Sequence, residues 1–155
     1  MERNYSGKEW NVRGLSGPIF SAYGAKNWYV CFADEGIVFI PTSIFSALAL
    51  TPETSGIIVG ALAAKEQKKL VGLFDEDLHN VLKDDGNEKW LRYEIQELEK
   101  ITIQRRILSS SEIHIKLHGQ KASVYGIYVR DQVSRIRDVA KRLYADVYEE
   151  KGFKK

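Results

Sequence analysis

The sequence predicts an α+β fold: a curved antiparallel sheet of seven strands, a C-terminal capping helix, and a helical insertion after strand 3. Three observations lead there. Residues 101–129 hold three strand-like runs that lead straight into an amphipathic helix. Residues 19–40 hold three more runs, dense in β-branched and aromatic residues. Between these blocks, about residues 44–89, the pattern turns helical.

Taken in order, residues 1–17 read as a flexible N-terminal arm, with Gly7, Gly14 and Gly17. A single domain then spans 18–155. Ile19 to Tyr23 is a first strand and Asn27 to Ala33 a second. Asp34-Glu35-Gly36 turns the chain into a third, Ile37 to Ile40, which Pro41 ends. The second and third strands are apolar on both faces. One face belongs to the core, and the other needs cover from the chain or from a partner. Ser43 caps a short helix, Ile44 to Leu50. Thr51-Pro52-Glu53 is a helix start, with a cap, a proline at the first position and an early acid. Residues 53–83 continue as helix, with a stripe of Leu70, Phe74, Leu78 and Val81. Asp84-Asp85-Gly86-Asn87 is a loop, and Trp90 to Ile95 a fourth strand.

The final meander runs through Ile101 to Ile107, Ile113 to His118 and Lys121 to Val129. Alternation places Ile113, Ile115 and Leu117 inward. Gly119 and Gln120 fit a two-residue hairpin, which sets Ile115 opposite Val124 and Ile113 opposite Gly126. Asp131 is a good N-cap for the last helix, near 132–149, whose buried stripe is Val133, Ile136, Ala140, Leu143 and Val147. Gly152 suits the position just past its end.

The run Asn27-Trp28-Tyr29-Val30-Cys31-Phe32-Ala33 turning into Gly36-Ile37-Val38-Phe39-Ile40, then Tyr93-Glu94-Ile95 before Leu98 and Ile101, resembles the pleckstrin-homology-like fold. The likeness is to small bacterial pleckstrin-homology and GRAM-like domains, over roughly residues 18–42 and 90–148. It implies a partly open barrel and a binding role. Two departures stand out. The insertion is long for this fold. The loop Gly24-Ala25-Lys26-Asn27 carries one lysine, where eukaryotic phosphoinositide binders place several basic residues, so specific phosphoinositide binding is not expected.

The chain has 155 residues, 44% of them hydrophobic and 28% charged, as in ordinary globular domains. A net charge of +2 gives little bulk attraction to nucleic acid, and no nucleic-acid partner is expected. A single cysteine, Cys31, allows no intrachain disulfide and fits a cytoplasmic location. The polar N-terminus predicts no secretory leader. No run reaches the roughly 18 apolar residues of a transmembrane helix.

No catalytic signature appears. His114 and His118 lie too far apart on a strand to share one metal. His79 with Asp75 lacks a third ligand, and Asp75-Glu76-Asp77 lacks the spacing of a calcium loop. No cofactor and no metal are expected. Two candidate surfaces remain. Arg106, His114, Lys116, His118 and Lys121 share the outer face of the meander as a possible anion patch, beside the plainer reading of a solvated sheet face. Gly56 to Ala64 offers Ile57, Ile58, Val59 and Leu62 as a possible interaction surface, with small residues permitting close helix contact. The function expected is a non-catalytic binding or scaffolding domain that self-associates as a homo-oligomer or meets a protein partner. The alternatives are a peripheral membrane module using residues 56–69, helped by Lys65, Lys68 and Lys69, and a small enzyme whose groups converge only in three dimensions.

Overall fold

A computed structural model of the chain describes residues 4–21, 27–41, 80–127 and 130–153. Among these lie nine strands: β1 (Glu9–Ser21), β2 (Asn27–Ala33), β3 (Gly36–Pro41), β4 (Asn80–Lys83), β5 (Leu91–Glu94), β6 (Leu98–Gln104), β7 (Ser111–Leu117), β8 (Ser123–Ile127) and β9 (Tyr148–Lys151). One helix, α1 (Arg130–Leu143), joins β8 to β9, and a 3-10 turn at Ile95–Glu97 joins β5 to β6.

The strands form one open sheet in the order β5-β3-β2-β1-β8-β7-β6-β9, with β4 pairing on β1. Its pairs are antiparallel except β6 with β9, which run parallel. Register shifts break β1 against β2 between Val12 and Gly14 and between Ser16 and Ile19. Such irregularities bend a strand. The bent β1 offers Glu9–Val12 to β4 and Ile19–Ser21 to β8 along one edge.

The sheet curls strongly. β5 and β8 are four steps apart in the order, which in a flat sheet means about 19 Å. Yet the hydroxyls of Tyr93 and Tyr125 meet at 2.6 Å, and the Phe39 and Tyr125 rings lie 4.4 Å apart. Inside the curl, Val30, Phe32, Ile37 and Phe39 face Ile101, Ile103, Ile113 and Ile115, and α1 closes the space with Val133, Ile136, Val139 and Ala140. The other face of β1–β3 builds a second core from Trp10, Val12, Leu15, Tyr29, Cys31, Val38 and Ile40 with Leu82 and Trp90. Both faces of β2 and β3 are therefore buried within a single chain.

Several expectations are corrected. The fold is not seven strands with a helical insertion after strand 3. It is a mostly-sheet α+β fold in which Asn80–Lys83, where the insertion helix was to end, is strand β4. Val81 pairs with Asn11, and Leu82 with Trp10, so the free edge of β1 claims this segment. The insertion's other parts, 44–79, lie outside the described residues. The arm expected over 1–17 is strand from Glu9 onward, because Trp10 and Val12 are core residues.

The helix stops at Leu143 rather than near 149. Tyr144 then donates its hydroxyl to the carbonyls of Ala33 and Gly36, and Tyr148–Lys151 pairs with β6. Gly152, at φ +81°, ends β9 and not the helix; a Cβ there would strike the carbonyl oxygen of Arg105. Leu143 is only partly buried, and Ile136 is the fully covered anchor of the stripe.

The hairpin register slips by one. Ile113 pairs with Tyr125 and Ile115 with Ser123, across a loop of five residues. The slip turns Tyr125 and Ile127 into the core in place of Ala122 and Val124, which buries far more apolar surface. Gly126 now lies on the other face, where the Phe20 ring packs so close that an added Cβ would displace it.

Candidate functional site

The expected anion patch is interleaved with acids. Glu112 accepts from Arg106 at 2.9 Å and lies 3.2 Å from His114. Partial burial opposes its charged form, but the bonds from Arg106 and His114 outweigh that and its pKa falls below the usual carboxylate range. Glu99 pairs with Lys116 and lies 3.8 Å from His118. The hydrogen bond from Lys116 comes first among the causes that lower the Glu99 pKa. Lys121 is exposed on the β7–β8 turn. The structure brings Arg106, His114, Lys116 and His118 onto one side of β7, and places a carboxylate beside each. The other candidate surface, Ile57, Ile58, Val59 and Leu62, lies outside the described residues, as do Lys26, Lys65, Lys68, Lys69, Asp75 and His79.

A second charged centre is absent from the sequence reading. Asp84 is fully buried, and Arg92 grips it with two bonds, Nη2 to Oδ1 at 2.6 Å and Nε to Oδ2 at 2.7 Å. The Trp10 indole donates to Oδ2 at 3.1 Å and the Gly86 amide to Oδ1 at 2.8 Å. Each oxygen thus holds two donors. The Arg92 guanidinium is stacked near Tyr5 at 4.7 Å and Trp90 at 5.1 Å, while Lys8 lies 4.2 Å from the Trp10 ring and bonds Glu94 at 3.0 Å. A carboxylate with four donors already in place fixes the β4–β5 turn against β1 and has no lone pair directed at a ligand. It is a structural clamp. Among the described residues no group of three or more His, Cys, Asp or Glu could hold a metal. Cys31 is fully buried, and burial pushes its thiol up to about 12.

The feature that faces outward is the β6–β7 loop, 105–110. The sequence reading carried the strand on to Ile107, but β6 ends at Gln104. Arg105 bonds through its amide to the Lys151 carbonyl, and Arg106 through its amide to Ser111 Oγ at 3.0 Å. These two bonds pin the base of the loop. Its tip is left in solvent: Ile107 is 78% exposed and Leu108 99%. Beside the tip lies a recess of about 460 Å³ lined by Arg106 to Ser111 with Ile127 and Val133. A signal for the loop does exist in the sequence. Arg105-Arg106 is a pair of adjacent charges, and alternation would force one of them into the core, so the strand has to stop there.

Among the described residues, no helix is long and apolar enough to cross a membrane. No family model matches the chain, and no curated protein matches it. Among solved structures, it is similar to the hSac2 domain from human phosphoinositide phosphatase Sac2, at 12% identity and a TM-score of 0.44, over 95% of this chain and 80% of that one.

Proposed function

We propose that this chain is a non-catalytic binding or scaffolding domain that presents the β6–β7 loop as a contact surface and self-associates. The observation that carries it is the tip itself. Ile107 and Leu108 stand in water, whereas the large apolar side chains of β2 and β3 are buried on both faces. Two adjacent exposed aliphatic side chains beside a recess make a small patch of the kind that marks contact sites. The base of the loop is held by β9 and by Ser111. A relation to pleckstrin-homology-like domains is part of this proposal. The strand order and the helix that closes the curl support it.

Self-association follows from a narrower premise than the sequence suggested. The second face of β2 and β3 is covered within the chain, so it needs no partner. The exposed tip remains as a contact surface, and Ile57, Ile58, Val59 and Leu62 remain the second candidate offered by the sequence. Light scattering at micromolar concentration is the test. The expected result is a mass above that of one chain, lowered by Ile58→Asp with Leu62→Asp or by Ile107→Ser with Leu108→Ser. A monomeric wild type, or an oligomer indifferent to both pairs, removes the self-association.

A further inference from the structure

We propose that the β6–β7 loop docks on an anionic lipid surface, dipping Ile107 and Leu108 into the interface while Arg105 meets headgroup phosphates. This rests on the reading of the loop as a contact surface and names what it contacts.

The charge around the tip points to the partner. Arg105 lies just before the tip and is exposed, while Arg106 beside it is held by Glu112. Lys151 lies at the same end of the sheet, where its carbonyl takes the Arg105 amide. The loop itself, 105–110, carries no acid. Glu112, the nearest acid along β7, is engaged by Arg106 and His114. Ser109 and Ser110 complete the tip with hydroxyls that suit a headgroup layer.

The shape points the same way. The two side chains stand on the outside of a turn with almost all of Leu108 in solvent. A protruding tip suits a soft layer, and amphipathic elements bury their apolar side about 5–10 Å into the headgroup boundary. Basic residues near such a surface add attraction that falls off within a Debye length. The surface is read by charge and apolar depth together, so no headgroup stereochemistry is required.

Flotation of the full chain with vesicles of phosphatidylcholine, with or without about a third phosphatidylserine, tests this at low salt and near 0.15 M, where screening is stronger. The wild type should float with the anionic vesicles, less with neutral ones, and less as salt rises. Ile107→Ser with Leu108→Ser should lower the partition at least about tenfold, and Arg105→Glu should lower it on anionic vesicles alone. A second measurement does not depend on loss of binding. Leu108→Cys, labelled with an environment-sensitive dye, should shift to the blue on adding anionic vesicles, whereas Lys89→Cys on the β4–β5 turn should not. Replacing phosphatidylserine by a phosphoinositide at matched charge should change little. No flotation at low salt overturns the proposal, as does flotation that the Ser pair leaves unchanged. If the wild type stays off the vesicles while light scattering shows the tip holding copies together, the lipid surface is rejected and the binding reading survives.

Discussion

The Asp84 side chain is fully buried, and four donors on its two oxygens make that tolerable. Removing the carboxylate strands Arg92, whose side chain is 7% exposed. Asp84→Ala should therefore cost about 3–5 kcal/mol, read from the urea midpoint. Adding Arg92→Leu should recover part of that loss, because it removes the uncompensated cation. A double variant no more stable than Asp84→Ala alone would refute the clamp. Glu150 behaves differently, at the surface. Arg137 donates to it at 2.6 and 2.9 Å, Tyr148 adds a third bond, and its pKa drops from 4.5 to about 2. A lowered folded value means stability that is present above the unfolded pKa and lost as pH falls from about 4.5 towards 2. Glu150→Gln should be less stable than wild type at neutral pH, and the gap should shrink near pH 3. A gap of constant size would show that the pairing contributes nothing. Neither centre was legible beforehand. Asp84 sits in a run, Asp84-Asp85-Gly86-Asn87, that reads as plain turn chemistry, and its indole partner lies 74 residues away.

At the scale of elements, the sequence announced strands wherever alternation was strict. The inward set Ile113 and Ile115 and the helix residues Val133, Ile136 and Ala140 are buried as that pattern requires. It failed where a longer-range contact competed with the local period. Val81 continued a helical stripe with Leu78, yet the open edge of β1 draws Asn80–Lys83 into the sheet. Gly119-Gln120 looked like a two-residue turn, yet burial of Tyr125 and Ile127 favours a register shifted by one. The helix near 132–149 ended early because Tyr144 is tied to the β2–β3 hairpin and Tyr148–Lys151 has a strand partner in β6. The tip of the β6–β7 loop was missed for the opposite reason: Ile107 looked like one more core residue of a strand. Ile136 is fully buried and Leu143 only partly. Ile136→Ala should cost about 2–5 kcal/mol, and Leu143→Ala clearly less, by urea midpoints measured side by side. The reverse ranking would mean that the helix lies on the sheet with another face.

Across the whole molecule, β1, β2 and β3 belong to two cores at once. Val30, Phe32 and Phe39 face the curl, while Tyr29, Cys31 and Val38 face Trp10, Leu82 and Trp90. Alternation along each strand makes this unavoidable, since neighbouring side chains point to opposite faces. Opening the second core would uncover the back of the strands that form the first. The two cores should therefore unfold together, in one transition. Cys31 gives a probe that sits inside the second core. It is fully buried, and its thiol is held up to about 12, so the native chain should not react with a thiol reagent near neutral pH. Labelling should occur only through molecules that have opened. The free energy derived from the labelling rate should equal that from urea unfolding followed by tryptophan fluorescence. It should fall by the same amount in Ile40→Ala, a cavity in the second core, and in Ile103→Ala, a cavity in the first. Labelling that runs faster than global unfolding, and that responds to Ile40→Ala alone, would mean that β4 and the β4–β5 turn lift away by themselves. In that case the second core is a removable cover and not part of one cooperative unit.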